Sequence, residues 1–304
     1  MEFDGRKVLI TGAGGFLGSH LANRMTAKGA EVFCVSRVPR PTFDSLPADV
    51  AVARVDLRDA AETLSLFQTT RPDIVFHFAS ASGGSTGVDN VLPHLEDDIT
   101  TTLTCLVAAQ KVGVRRFIVP GSTDEPIATP GQELIPASPY SLAKMTCVAC
   151  GRMFHNLYGT PVVICRTFMT YGPGQKSRKI VPYLIRTMLA GSPPKISSGS
   201  RLVDWIYIDD TIDALMLAGT MDGVEGKTLE IGSGTLVSIS DVAARIQALI
   251  PGASAAESAE EPPFGSVRAA NLNSANRYLH WSPRVSLDEG LRRTVEFYRT
   301  LSLD

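Results

Sequence analysis

Tyr140 and Lys144 stand four residues apart in the run Ser138-Pro139-Tyr140-Ser141-Leu142-Ala143-Lys144. The run predicts the first turns of a helix. Ser138 is a competent N-cap, and Pro139 suits the first helical position, where no N–H is needed. The spacing then puts Tyr140 and Lys144 on one helix face. An ammonium beside a phenol stabilises the phenolate, so the pair is a proton donor and acceptor usable near neutrality, carried on a rigid element. Upstream, Ser122-Thr123-Asp124-Glu125 gathers two hydroxyls and two carboxylates where a strand is expected to end. A proton-transfer site needs such groups beside its acid/base. The bland alternatives are an ordinary amphipathic helix and an Asp/Pro-rich turn. What precedes both stretches decides between them.

The preceding chain alternates strand and helix. Lys7-Val8-Leu9-Ile10-Thr11 predicts a short buried strand, and Gly12-Ala13-Gly14-Gly15-Phe16-Leu17-Gly18 leads from it into a helix reaching about residue 28. Gly12, Gly15 and Gly18 permit a tight turn, close approach of backbone to a pyrophosphate, and close helix–strand packing. The helix N-terminus presents free N–H groups and the positive end of the helix dipole. In this strand–turn–helix context the glycines predict dinucleotide binding; the alternative is a glycine-rich turn without a ligand. Residues 31–36 predict the second strand. In an NAD site an acid near its end, roughly 20 residues past the glycines, accepts hydrogen bonds from the adenosine ribose 2′-OH. Ser36-Arg37 hold that place, with Arg40 close by and no acid before Asp44. A guanidinium pairs with a 2′-phosphate that a carboxylate would repel. The expected cofactor is therefore NADP, with NAD possible, against the alternative that Arg37 is a solvated loop residue.

Further strands are expected at 50–55, 73–79, 116–120 and 162–166, with a helix from about 97 to 112. Asp56 either meets the adenine edge or caps the helix that follows it. Ala79 and the small-residue loop 80–87 lie at a strand's carboxyl end, a place suited to a ligand approaching backbone. His77, inside an apolar strand, is expected to be a satisfied core histidine. The chain has 304 residues, 44% hydrophobic and 20% charged, enough for a large core in one or two domains. A net charge of −2 gives no reason to expect nucleic acid or an anionic membrane as partner. The N-terminal run lacks the build of a signal peptide, and no apolar run approaches the ~20 residues of a membrane span. The cysteines are Cys34, Cys105, Cys147, Cys150 and Cys165, an odd number in apolar settings, so reduced thiols and a cytoplasmic location are expected. Cys147 and Cys150 form a CxxC inside a predicted helix, with no second ligand pair to make a metal site.

Taken together these residues resemble an extended short-chain dehydrogenase/reductase of the nucleotide-sugar epimerase/dehydratase family. The matching pieces are the glycine turn from Thr11 to Gly18, Asp56-Leu57, Ser122-Thr123, Tyr140 with Lys144, and Arg166 followed by Tyr171-Gly172-Pro173-Gly174. Asp204-Trp205-Ile206-Tyr207-Ile208-Asp209-Asp210, Trp281-Ser282-Pro283 and Leu287-Asp288-Glu289-Gly290-Leu291 complete the set. They run in family order across nearly the whole chain. The resemblance implies an α/β fold, with a Rossmann-type doubly wound parallel sheet over residues 1–174 and a smaller substrate lobe over 175–304. Segments near 201–220 would return to the first domain. Tyr140 would be the acid/base on a sugar hydroxyl or carbonyl. Lys144 would bind the nicotinamide ribose, and Thr123, with Ser122, would hydrogen-bond the reacting oxygen. Hydride would pass at the sugar carbon, usually C4. A homodimer through the Tyr–Lys helix is also implied, for which Met145, Val148, Met153 and Phe154 offer an apolar face; packing into the core explains these four equally well.

The reaction within the family is open. Thr123-Asp124-Glu125 resembles the triad of 4,6-dehydratases, where two carboxyls handle the C5 proton and the C6 hydroxyl. Pro126-Ile127-Ala128 departs from their pattern, and Pro126 restricts Glu125 to extended backbone, leaving the direction of its carboxylate in question. A chain of 304 residues is short for that group and usual for reductases. The leading expectation is a ketoreductase or epimerase acting on a nucleoside-diphosphate sugar, with dehydratase as the alternative. Arg186, Arg201 and Arg268 are candidate contacts for the diphosphate, Arg268 foremost by its place in the family pattern, against the alternative that each is a surface residue; Arg166 is a candidate substrate contact. Met169 stands where relatives carry a substrate-contacting Asn, Val203 where Arg is common, and Asp98 where Asn is usual. Met169 and Val203 motivate a third reading, reduction of a non-sugar carbonyl, and Asp98 puts a customary active-site hydrogen bond or water relay of the family in doubt. A non-catalytic NAD(P)-binding regulator is the fourth, and it would be marked by loss of Tyr140 or Lys144. The acids Asp209 and Asp210 are expected to cap a helix, and residues 253–263 to form a loop.

Overall fold

The computed structural model describes residues 3–37, 46, 50–80, 87–126, 131, 133–259 and 267–301. In chain order the elements begin with β1 (Lys7–Thr11), α1 (Phe16–Ala27), β2 (Glu31–Ser36), β3 (Ala51–Arg54), α2 (Ala60–Thr70) and β4 (Ile74–His77). They continue with α3 (Val91–Leu95), α4 (Thr101–Val112), β5 (Arg116–Ser122), α5 (Pro139–Tyr158) and β6 (Val162–Thr167). The rest holds β7 (Met169–Tyr171), α6 (Ile180–Leu189), β8 (Lys195–Ile196), β9 (Leu202–Tyr207), α7 (Ile208–Thr220) and β10 (Thr228–Ile231). The last elements are β11 (Leu236–Ser238), α8 (Ile239–Leu249), β12 (Glu257–Ser258), α9 (Asn273–Leu279) and α10 (Leu287–Leu301). Two compact units emerge, one of Met1–Arg166 with Ala214–Leu229, the other of Thr167–Asp213 with Glu230–Asp304.

The first unit is built on a seven-stranded sheet in the order β10-β6-β5-β4-β1-β2-β3. β1 pairs in parallel with β2 and β4, β2 with β3, and β4 with β5. Parallel strands covered on both faces read as continuous apolar runs. Val8, Leu9 and Ile10 are accordingly fully buried, and Leu9 joins a core with Phe67, Leu106, Phe117 and Ile164. The strand order reverses between β1 and β4, which opens a crevice at their carboxyl ends. Gly12 sits there with φ of +66°, and an added Cβ would lie 2.5 Å from the carbonyl of Phe78 and 2.6 Å from the nitrogen of Ala79. Thr11 ties the same corner. Its carbonyl accepts the Phe78 N–H at 3.1 Å, and its hydroxyl accepts the Ala79 N–H at 3.1 Å. A Cβ on Gly18 would stand 2.5 Å from the Gly12 carbonyl oxygen, so α1 leaves directly off the turn.

Two local details differ from expectation. The helix expected from residue 97 opens as a π-turn, Glu96–Thr100, before α4 begins. The cause is a threonine run that competes for main-chain carbonyls. Thr101 Oγ1 donates to the Asp97 carbonyl at 2.5 Å, Thr102 Oγ1 to the Asp98 carbonyl at 2.7 Å, and Thr104 Oγ1 to the Thr100 carbonyl at 3.0 Å. The cap of α2 is Asp59 rather than Asp56, accepting the N–H groups of Ala61 at 2.8 Å and Glu62 at 2.9 Å.

The second unit holds the three-stranded sheet β11-β9-β7 and the pair β12-β8. Asp204, buried in β9, organises it. Its carboxylate accepts from the backbone N–H groups of Ser233, Gly234 and Ala270 and from the Ser233 hydroxyl, at 2.6–2.9 Å. The Asp210 carboxylate accepts the Val285 N–H at 2.9 Å. Of the loop expected at 253–263, residues 257–258 form β12 and 260–263 lie outside the described residues. Among the described residues no helix is long and apolar enough to cross a membrane. The crowding at Gly12 makes a prediction: a left-handed conformation costs a non-glycine residue roughly 1–2 kcal/mol before any clash is counted. Gly12→Ala should lower the unfolding free energy in urea by at least about that amount; unchanged stability would contradict the tight turn.

Candidate active site

The chemistry-bearing residues of the first unit converge on the N-terminal half of α5. Ser138 caps it, its hydroxyl accepting the Ser141 N–H at 3.1 Å, and Pro139 occupies the first turn. The Ser141 hydroxyl donates to the Asp124 carbonyl at 2.6 Å, which ties α5 to the turn after β5. One helical turn beyond Tyr140, Lys144 Nζ lies 5.6 Å from the centroid of the Tyr140 ring and 3.6 Å from Asp98 Oδ2. Lys144 is 5% exposed and Asp98 1%. Burial disfavours the ammonium, but Tyr140 and Asp98 outweigh it and raise the Lys144 pKa above the usual lysine value. His94 stands edge-on to the Tyr140 ring, centroids 6.2 Å apart, and its Nδ1 is buried without a hydrogen-bond partner.

The hydroxyl–carboxylate cluster is a compact turn. The Asp124 N–H donates to the Ser122 hydroxyl at 3.2 Å, and the Ser122 N–H donates to Glu125 Oε1 at 2.6 Å. Glu125 is 4% exposed, and its other oxygen accepts from Arg166 Nη2 at 2.7 Å. Its carboxylate therefore points into the protein against Arg166, which answers the question Pro126 raised. Gly121 makes room for this pair: a Cβ there would meet Glu125 Oε1 at 2.7 Å. Arg166, foreseen as a substrate contact, is thus an ion-pair partner of Glu125. Thr123 and Asp124 are half-buried beside them. Ile127 and Ala128 lie outside the described residues.

The cofactor candidates gather at the crevice end of the sheet. Gly15 caps α1 with no side-chain hydrogen bond, and Phe16, Leu17 and Gly18 form its first turn. With the glycine turn held close against Phe78 and Ala79, the free N–H groups at the start of α1 fit a dinucleotide pyrophosphate. Arg37, just past Ser36 at the end of β2, makes a two-pronged pair with Asp97, both contacts 3.0 Å. Asp56 is gripped by Arg58, whose hydrogen bonds hold its carboxyl down at about 2. The Leu57 carbonyl accepts from Thr63 Oγ1 and Thr104 Oγ1. Arg40, Asp44 and residues 81–86 lie outside the described residues. His77 is a satisfied core histidine, with Nδ1 2.9 Å from Thr11 Oγ1 and Nε2 3.1 Å from Thr102 Oγ1. Burial, then Lys144, pushes its pKa down to about 3. The five cysteines form no disulfide, and among the described residues no cluster is placed to hold a metal ion.

In the second unit, Arg268 pairs with Glu230 at 2.7 Å and lies 4.8 Å over the Phe168 ring, while its Nε and Nη2 are buried without hydrogen-bond partners. Arg201 Nε is likewise buried and unpartnered. Met169 opens β7, half-buried, and Arg186 is exposed on α6. His94 carries no sequence motif, and what makes it notable is the Tyr140 ring the fold sets beside it.

Comparison with known proteins agrees with this architecture. Residues 8–232 match the model of the NAD dependent epimerase/dehydratase family. A UDP-glucose 4-epimerase of Mycolicibacterium smegmatis is 28% identical over 97% of this chain and 99% of its own. A dTDP-glucose 4,6-dehydratase of Salmonella typhimurium is 26% identical over 96% of this chain and 92% of its own. The solved structure of a UDP-glucuronic acid 4-epimerase of Bacillus cereus, in complex with UDP-glucuronic acid and NAD, superposes with a TM-score of 0.86 at 27% identity, covering 97% of this chain and 99% of that one. A Rossmann-like sheet carrying a glycine cradle and a Tyr–Lys helix, matched over most of its length, places this chain in the NAD-dependent epimerase/dehydratase family, enzymes of the extended short-chain dehydrogenase/reductase type.

Proposed function

We propose that the chain is an NADP-dependent oxidoreductase that transfers hydride at C4 of a nucleoside-diphosphate sugar, as a 4-ketoreductase or an epimerase. The observation that carries this reading is the buried Lys144 ammonium set 5.6 Å over the Tyr140 ring on a capped helix. When bound, the nicotinamide accepts or delivers the hydride. The Tyr140 hydroxyl moves the proton, giving it to a carbonyl oxygen being reduced or taking it from a hydroxyl being oxidised. Lys144 holds a cofactor ribose with its ammonium and favours the phenolate when Tyr140 has given up its proton. The hydroxyls of Ser122 and Thr123 orient the reacting oxygen. Gly12, Gly15, Phe16, Leu17 and Gly18 cradle the pyrophosphate, with Asp56, Leu57 and Ala79 along the rest of the dinucleotide. Arg201 and Arg268 are our candidates for the diphosphate of the sugar nucleotide, because each keeps a buried nitrogen without a partner. Met169 and Arg166 remain candidates for the sugar side.

A specific observation bears on the dehydratase alternative. Elimination of water needs an acid and a base besides Tyr140, and Glu125 is buried in an ion pair with Arg166. That leaves Asp124 alone to serve, and it favours chemistry confined to C4. Met169 and Val203 keep a non-sugar carbonyl as the remaining alternative. A homodimer is supported by the exposed Val107 on α4 and Met153 and Leu157 on α5. Val148 and Phe154 pack into the core, the alternative weighed for them beside a dimer face.

Two tests follow from these roles. Tyr140→Phe should reduce turnover by roughly 10²–10⁴-fold with cofactor affinity retained, whereas Asp124→Asn and Glu125→Gln should keep most of it. Full activity of Tyr140→Phe would overturn the catalytic reading, and loss of activity in both carboxylate variants would restore the dehydratase. For the cofactor, titration of the protein with NADPH and NADH should show tighter NADPH binding, and Arg37→Ala should cut the NADPH affinity by roughly tenfold or more, the worth of a charge-assisted hydrogen bond. Equal affinities, or tighter NADH, would contradict it.

A further inference from the structure

The Asp98 carboxylate sits where it governs the Tyr140–Lys144 pair without itself belonging to the reacting groups. An ammonium taken out of water is costly unless a carboxylate answers it, and an unanswered one sheds its proton. Among the described residues the carboxylate within ion-pair distance of Lys144 is Asp98, at 3.6 Å. Asp98 belongs to the π-turn Glu96–Thr100, where it is buried. Ser80 Oγ donates to Asp98 Oδ2 at 2.9 Å, and the Asp98 carbonyl accepts from Thr102 Oγ1 at 2.7 Å and from Cys147 Sγ of α5 at 3.4 Å. The turn is thereby pinned to α4 and to the helix that bears Lys144.

The other titratable groups around the pair do not supply this charge. From β4, His77 is neutral, its pKa pushed down to about 3 by burial and by Lys144. From α5, the Cys147 thiol is pushed up to about 11 by burial and stays protonated. From α3, His94 offers an imidazole edge to Tyr140. On the π-turn itself, Asp97 is paired with Arg37 and Arg58, and Glu96 is exposed. After β5, Glu125 is paired with Arg166, and the Asp124 carbonyl is held by Ser141.

We propose that Asp98 is the counter-ion of Lys144: a positioning residue that keeps the ammonium charged and fixed beside Tyr140 as the pH rises. The inference rests on Tyr140 and Lys144 being the acid/base pair for its catalytic meaning, but not for its physical test. The full chain is acetylated with acetic anhydride across a pH series, and the Lys144 peptide is quantified by mass spectrometry. In Asp98→Asn the pH at which Lys144 becomes reactive should fall by about one unit or more, roughly tenfold more free amine at a given pH, and Asp98→Glu should restore the wild-type titration. The alkaline limb of the kcat/KM profile should move the same way in Asp98→Asn and return in Asp98→Glu. Should Asp98→Asn fail to fold, Asp98→Ser carries the same expectation. An unchanged Lys144 titration in the neutral variant overturns the proposal. A shifted titration in a protein without turnover would uphold it and overturn the functional reading instead.

Discussion

A buried ammonium must be answered by a negative partner, and that constraint shapes the centre of this protein. Lys144 belongs on α5 because Tyr140 does, and α5 packs against the sheet along its buried face, so the cation is carried out of water with the helix. The carboxylate that answers it comes from the π-turn just ahead of α4. There a regular helix gives way to a π-turn that threonine hydroxyls hold open. The irregularity in α4 and the chemistry on α5 are two ends of one ion pair. The same logic recurs one strand over, where Glu125 and Arg166 are buried together and Gly121 leaves the space they need.

Much of the first unit was legible in the sequence because its signals are local. The apolar runs of β1 and β2, the glycine turn, and the Ser138-Pro139 start of α5 each depend on residues within one or two turns, and they sit where those residues demand. What was not legible depends on partners distant in sequence. Asp98 shows in the sequence only as a departure from the family's usual Asn, because its partner Lys144 lies on another helix. The direction of Glu125 is decided by Arg166, 41 residues later. Val148 and Phe154 share a helix with the exposed Met153, and periodicity alone does not say which side the core lies on. Asp59 and Asp56 are equally good caps by type, and Arg58 breaks the tie by engaging Asp56.

The second unit follows the same principle with a neutral readout. Asp204 answers three backbone N–H groups and a hydroxyl, so a buried carboxylate serves as a structural knot rather than a reactive group. Arg268 and Arg201 invert the situation, being cations with buried nitrogens left unanswered. Unpaired donors of that kind are what an anionic ligand group would satisfy. Relatives that share this architecture carry out both epimerisation and dehydration, by the names they bear. The fold alone therefore does not decide the reaction.

The most direct measurement is product analysis by NMR. The enzyme is incubated in deuterated water with a panel of nucleoside-diphosphate hexoses in the presence of NADP+, and of their 4-keto forms in the presence of NADPH. The account predicts a product altered at C4 alone, with the C6 hydroxyl retained and no solvent deuterium at C5. A 6-deoxy-4-keto product carrying deuterium at C5, or the absence of any change in every sugar nucleotide offered, would contradict it.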